Sequence, residues 1–384
     1  MQIILIGNYK LDKQESMERF TLMLSDGFEN SGINTKIWRP TVFFGLKRLN
    51  PYKGLGKYLG YIDKWIVFPM ILKFRIIGNS KKVSPTFYHI CDHSNAPYLK
   101  HLPKQNSGIT CHDVLAIRGA FGFKDAYCPA TKMGKILQKW ILKNLSKANK
   151  MACVSEHTLF QLKELSNSEF EHTKDWRVVH NAFNAPFSPM PSTTYTKLLK
   201  PYGIQSNNEF VLHVGSSLPR KNRKLLIDML KELENTWDGY VCFAGEILEQ
   251  ELLDYAKDLG LSDRVISIKR PEHDTLVGLF SACKAFVFPS LSEGFGWPVI
   301  EAQACGAPVI ASNLKPMPEV SGGAAIHADP LNPKLFADAF IKLKNHTFRN
   351  ELVKSGFENI GRFSNQRMIQ GYLDLFGLNK KIKL

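Results

Sequence analysis

The sequence predicts an α/β protein made twice over, two doubly wound units that each carry a parallel sheet, and three observations predict it. Short β-branched or aromatic runs recur along the whole length, and amphipathic stretches separate them. The runs are apolar throughout rather than alternating, which is the pattern of parallel strands buried on both faces. Finally, a chain of 384 residues exceeds the ~250–300 at which one core stops growing, so two domains are expected.

In chain order, the first half offers strands at Ile3–Ile6, Lys36–Trp38, Phe87–Cys91, Gly108–His112, Lys150–Ser155 and Arg177–His180. The second repeats the rhythm at Phe210–Val214, Tyr240–Phe243, Val265–Ile268, Ala285–Phe288, Pro308–Ala311 and Ala324–His327. Apolar residues three and four apart mark helices at Gln14–Glu29, Lys132–Ser146, His157–Leu165, Arg223–Leu233 and Pro333–Lys344. Between the halves, Asn184–Pro201 holds Pro186, Pro189, Pro191 and Pro201 among Ser and Thr, the composition of a linker. The expected domains are therefore 1–190 and 201–360, followed by 361–384. Open parallel sheets take ligands at the carboxyl ends of their strands, so the expected active site is a cleft between the two sheets.

Composition narrows the class. Hydrophobic residues make up 44% and charged residues 22%, near soluble globular averages, which excludes disorder, collagen and coiled coil. Seven cysteines occur without a CxxC or Cys/His ligand spacing, so neither a disulfide framework nor a zinc site is expected, and a reducing cytosol is. The apolar start Met1–Gly7 lacks a basic leader, and Trp65–Gly78 is broken by Pro69, Lys73 and Arg75. No secretory leader and no membrane span are expected.

The net charge of +15 is one-sided. Residues 1–200 hold 29 Lys+Arg against 14 acids, whereas 201–384 hold 21 of each. Within 36–82, eleven cations meet a single acid, Asp63, amid Trp38, Phe43, Phe44, Tyr52, Tyr58, Tyr61, Trp65, Phe68 and Phe74. A solvated face would not use so many aromatics. A patch resting on an anionic membrane would, since each Lys or Arg near such a leaflet contributes about 1 kcal/mol.

The most informative segment runs from Phe288 to Ser312. A strand ends near Phe288, a loop carries Glu293, Gly294, Phe295 and Gly296, and a helix is expected from about Pro298 to Ala304. Backbone N–H groups of Phe295 to Val299 at that helix start favour an anion, and glycines let it approach closely. Glu293 and Glu301, eight residues apart, accept hydrogen bonds from hydroxyls. One phosphate site flanked by two hydroxyl acceptors fits a nucleotide sugar. Upstream, Gly215 and Ser216 end the strand Phe210–Val214, and Arg220 with Lys221 follows before the next helix. Two cations at a strand's carboxyl end supply the counter-charge of a diphosphate; no Asp-x-Asp loop is present, and no metal is expected.

Taken together, "TCHDVLAIRG", "CVSEHT", "VVHNAFN", "VGSSLPRKN" and "SEGFGWPVIEA", in this order within about residues 86 to 376, resemble the family-4 retaining glycosyltransferases of the GT-B fold. The resemblance implies two Rossmann-like domains with parallel sheets facing across a cleft, and a last helix, Asn365–Phe376, that crosses back to the first domain. It implies that Glu301 binds the ribose, and that Glu293 with Gly294, Phe295, Gly296 and Trp297 holds the donor sugar. Arg220 and Lys221 then neutralise the leaving diphosphate, and His112 stands near the reacting centre. Many members carry Arg where this chain has Ser216, which puts more of the work on Arg220. The "PRKN" form resembles the branch that builds bacterial surface polysaccharides, often from mannosyl donors.

The expected reaction moves a hexose from a UDP- or GDP-linked donor to a hydroxyl of a saccharide or lipid-linked saccharide, with retention, without cofactor or metal, at the inner face of a membrane. Asp92, His93 and Asn95 in "HICDHSNAPYL" either end a strand structurally or line an acceptor pocket. His89 and His213 read as structural, and Arg223 and Lys224 as a solvated helix start. A nucleotide-sugar epimerase and a noncatalytic sugar-nucleotide-binding protein share the fold as alternatives, and a nucleic-acid groove is not expected.

Overall fold

A computed structural model describes residues 1–46, 49–50, 54–80, 85–166, 174–205 and 207–378. Two six-stranded sheets, both parallel throughout, organise it. The first contains β1 (Gln2–Ile6), β2 (Asn34–Trp38), β3 (Thr86–Ile90), β4 (Ser107–Cys111), β5 (Lys150–Cys153) and β6 (Asp175–Val178) in the order β2-β1-β3-β4-β5-β6. The second contains β7 (Phe210–Gly215), β8 (Tyr240–Gly245), β9 (Val265–Lys269), β10 (Ala285–Phe288), β11 (Val309–Ser312) and β12 (Ile326–Ala328), ordered β12-β11-β10-β7-β8-β9. The most apolar strands are buried, β1 and β10 being covered almost end to end, whereas the edge strands β2, β6 and β9 carry polar residues and are only partly covered.

Strand order locates the crevices. In the first sheet the winding direction reverses between β1 and β3, and in the second between β7 and β10. At such a reversal the connections leave in opposite directions, and the carboxyl ends of the two strands open onto a ligand-sized gap.

Two compact units contain the sheets. One comprises Met1–Gly122, Ala130–Asn184 and the stretch from Asn365 onward; the other comprises Phe123–Pro129 and Ala185–Ser364. The helix Asn365–Phe376 is thus part of the first unit, where the Tyr372 and Thr110 hydroxyls lie 2.8 Å apart and Phe376 stacks on Phe87 at 4.0 Å between ring centroids.

The proline-rich stretch expected as a linker is instead ordered into the second unit, and the division falls after Asn184. Ser192–Leu199 is a helix preceded by Pro191, so that proline removes no intrahelical hydrogen bond. The Met190 N–H donates to Ser281 Oγ at 3.0 Å, and Leu199 is buried. Composition alone overlooked these anchors.

A second departure is Gly54–Ser80, continuous helix where the sequence showed only an interrupted apolar run. Pro69 is accommodated by a π turn over Asp63–Val67. In that five-residue register Pro69 would have donated to the Lys64 carbonyl; Tyr98 Oη donates to it instead, at 2.9 Å.

Candidate active site

In the second unit, the reversal between β7 and β10 gathers the expected donor residues. β7 ends at Gly215, Ser216 follows, and a short 3-10 turn over Pro219–Lys221 carries both cations. The loop after β10 brings Glu293 to them. Its Oε1 lies 2.6 Å from Lys221 Nζ and its Oε2 2.7 Å from Arg220 Nη1. Arg220 Nη1 also donates to the Ser292 carbonyl at 3.0 Å, and Lys221 Nζ sits 4.9 Å from the centre of the Phe288 ring.

Glu293 and Lys221 are buried, at 8% and 9% exposure. Burial pushes the Glu293 carboxyl up, but Lys221 and Arg220 outweigh it and hold it below the ordinary carboxylate value. Burial pulls Lys221 below its ordinary value, Glu293 opposing and Arg220 reinforcing that shift. Lys221 and Arg220 thus share the Glu293 carboxylate at the strand ends. Glu293 was expected to meet a sugar while the cations met phosphate; the three form one ion-pair cluster, with a second lone pair on each carboxylate oxygen available to hydroxyls.

The glycine-rich bend leads into the helix Trp297–Ala304. Gly296 takes φ of +106°, and a Cβ there would lie 2.6 Å from Met317 Cε, so this turn requires glycine. The expected row of N–H donors from Phe295 to Val299 is shorter than anticipated: Pro298 has no amide hydrogen, and the Val299 N–H donates to the Gly296 carbonyl at 3.0 Å. Glu301 lies in the second turn and is buried.

One neighbour was misjudged. Arg223 is buried rather than solvated, because its guanidinium donates to the Glu246 and Ile247 carbonyls at 2.9 and 3.1 Å and pairs with Glu249. Lys224 keeps the surface position expected of it, pairing with Asp228 at 3.0 Å. His213, on β7, is fully enclosed; burial drives its pKa down to about 3, and its Nδ1 lies 3.1 Å from the Val287 carbonyl.

In the first unit, the reversal between β1 and β3 holds a different set. Asn8, just past β1, donates from Nδ2 to Asp92 Oδ2 at 2.5 Å, and Asn95 Nδ2 donates to Asn8 Oδ1 at 2.7 Å. The Ser94 N–H donates to Asp92 Oδ1 at 2.9 Å, and His93 Nδ1 lies 3.4 Å from the same oxygen. Burial pushes Asp92 up; the imidazoles of His93 and His112, Asn8 and the Ser94 amide together bring it below its ordinary value. His112, just past β4, lies with Nε2 2.8 Å from the Cys91 carbonyl and its ring 4.4 Å from Phe20. Burial lowers its pKa, so the neutral ring donates from Nε2 and carries its lone pair on Nδ1. Asn8 and Gln14, hydrogen-bonded to each other, line an adjoining cavity of about 510 Å³ with Tyr9, Lys10, Lys13 and Arg19. Sequence reasoning missed Asn8, which carries no motif of its own.

Among the described residues, no group of three or more His, Cys, Asp and Glu is placed to hold a metal. In the basic segment, Lys47, Arg48, Tyr52, Lys53, Lys81 and Lys82 lie outside the described residues.

Residues 195–358 match the family model of glycosyl transferases group 1. The chain is 26% identical over 303 residues to the O-antigen chain mannosyltransferase RfbU of Salmonella typhimurium, spanning 77% of this chain and 74% of that protein. Its fold matches sucrose-phosphate synthase of Thermosynechococcus elongatus with a TM-score of 0.72 at 16% identity over 100% of both chains. It also matches Anabaena HepE in complex with UDP and glucose, with a TM-score of 0.70 at 15% identity over 98% of this chain and 99% of that one. The chain is a GT-B-fold glycosyltransferase of the hexosyltransferase type, its residues 195–358 forming a group 1 glycosyl transferase domain.

Proposed function

We propose that the protein moves a hexose, mannose foremost, from a UDP- or GDP-linked donor to a hydroxyl of a saccharide or lipid-linked saccharide in surface-polysaccharide or glycolipid synthesis, retaining configuration and using no metal. The observation that carries this reading is the Arg220–Lys221–Glu293 cluster at a sheet reversal, with Lys221 and Glu293 buried and Arg220 half-buried. Two cations brought together at the carboxyl ends of strands, one of them buried, suit an anionic ligand, since desolvating an ion costs several kcal/mol.

Donor cleavage shifts electron density onto the leaving phosphate. Lys221, Arg220 and the start of the helix Trp297–Ala304 are aimed where that charge grows and need little reorganisation. Glu301 takes the ribose hydroxyls and Glu293 a sugar hydroxyl. The acceptor hydroxyl enters on the leaving-group face and gives its proton to the departing phosphate. Asp92, Asn8 and Asn95, with the Nδ1 lone pair of His112, offer hydrogen-bonding partners for acceptor hydroxyls. The mannosyl preference rests on the likeness to an O-antigen chain mannosyltransferase.

The lipid-linked acceptor places the enzyme at the cytoplasmic face of an anionic membrane, a reading supported by the cationic excess of residues 1–200. Among the described residues, no helix is long and apolar enough to cross a bilayer. The test is a thermal-shift series with UDP, GDP, ADP and dTDP in the presence of a chelator. A ligand that binds only the folded state raises Tm by an amount set by RT ln(1 + [L]/Kd). One nucleotide should do so at chelator concentrations that strip Mg²⁺; a shift that appears only with metal would refute the metal-free reading, and no shift with any nucleotide would refute the donor assignment.

A further inference from the structure

Exposed apolar side chains concentrate on the helical run Gly54–Ser80. Leu55, Tyr58, Ile66, Met70, Phe74 and Ile77 are all solvent-facing, from 52% exposed at Ile77 to 71% at Phe74. Their spacings of three, eight, four, four and three residues, read off the sequence, keep them on one side of a helix. The opposite side packs inward through Gly56, Gly60, Phe68 and Leu72.

An exposed apolar stripe of this length needs an occupant, and the charges around it indicate which. The only acid in the run, Asp63, is buried and turned away from the surface: it accepts from the Phe43, Phe44 and Gly45 N–H groups at 3.0, 2.9 and 2.9 Å and from Tyr9 Oη at 2.6 Å. That carboxylate therefore fastens the exposed aromatic pair Phe43 and Phe44 to the middle of the helix. The exposed charges of the run are Lys73 and Arg75, both positive. Apolar residues on one side, cations beside them and no exposed acid match an anionic lipid interface, in which such a helix lies flat.

Resting on the membrane reading above, we infer that the stripe Leu55–Ile77, with Phe43 and Phe44, is inserted into the acyl boundary of an anionic leaflet. Docking then depends on apolar burial as well as on the charge of the basic segment.

The test uses the full chain and vesicles of phosphatidylethanolamine with phosphatidylglycerol. Ile66→Ser, Met70→Ser and Phe74→Ser combined should weaken cosedimentation by at least about tenfold, since each removes a side chain whose burial is favourable, while transfer to a soluble saccharide acceptor stays at the wild-type rate. Phe74→Trp should show a blue-shifted emission on these vesicles and quenching by brominated lipid. If the triple variant binds vesicles normally and only charge reversal at Lys73 and Arg75 releases the protein, insertion is wrong and the membrane reading stands. If the wild type ignores vesicles, both fall. If the wild type is a dimer that the triple variant converts to monomer, with Phe74→Trp unshifted on lipid, the stripe is a contact between copies and the inference is overturned.

Discussion

The two sheet reversals are built from opposite materials. The corner between β7 and β10 sets two cations, Lys221 buried and Arg220 half-buried, against the Glu293 carboxylate. The corner between β1 and β3 buries one carboxylate among amides and imidazoles, Asn8, Asn95, His93 and His112, and ends with no cation in its hydrogen-bonded set. On the proposed function, the first takes a diphosphate and the second takes hydroxyls. One backbone geometry would then serve two ligand chemistries, divided by which side chains follow the strand ends.

The largest effect should come from unbalancing the β7–β10 corner. Glu293→Ala leaves the buried Lys221 and the half-buried Arg220 without this carboxylate, which should cost about 3–5 kcal/mol of stability and abolish transfer. Nucleotide diphosphate, which restores negative charge, should recover part of that loss in a denaturant titration. An unchanged midpoint would mean that the cluster is solvated in solution. Lys221→Met should next lower kcat by about 10²–10³ while moving the donor dissociation constant far less; steady-state kinetics showing the reverse split would assign Lys221 to ground-state binding.

At the hydroxyl-binding corner, Asp92→Asn should raise the acceptor KM by about 10- to 100-fold, the worth of a hydrogen bond to a charged group, and leave nucleotide binding untouched. A changed nucleotide affinity would erase the division of labour. The smallest effect is one that the two sheets share. His89 and His213 are buried neutral, each with a pKa lowered to about 3, by burial first and, for His89, by His112 as well. Below about pH 6.5 the unfolded chain protonates both while the folded chain does not, so stability falls as pH drops from there toward 3. At pH 5 each should cost about 2 kcal/mol. Melting curves of His89→Gln and His213→Gln should show a shallower decline, and parallel declines would place the acid sensitivity elsewhere.

The strands and the β7–β10 corner were legible because their signals are local. Doubly buried strands are apolar residue after residue, and Gly296, Pro298, Glu293 and Glu301 fall within nine consecutive residues. The hydroxyl-binding corner was only half legible: Asp92, His93 and Asn95 sit together, but Asn8 and Gln14 arrive from 84 and 78 positions away, joined by topology alone. Gly54–Ser80 escaped because its outward face is as apolar as its inward one, which erases the 3.6-residue alternation, and because Pro69 is rescued by Tyr98, remote in sequence. The stretch read as a linker does begin at the division after Asn184, but its four prolines lie around a helix rather than within it.

The central claim is that the second unit's corner holds a nucleotide diphosphate through Arg220, Lys221 and Glu301 without metal. Calorimetric titration of UDP and GDP into the protein in chelator, repeated with Glu301→Ala, tests it most directly. The account predicts saturable binding of one of the two by the wild type and its loss in the variant. Binding that requires added metal, or that survives Glu301→Ala unchanged, would contradict it.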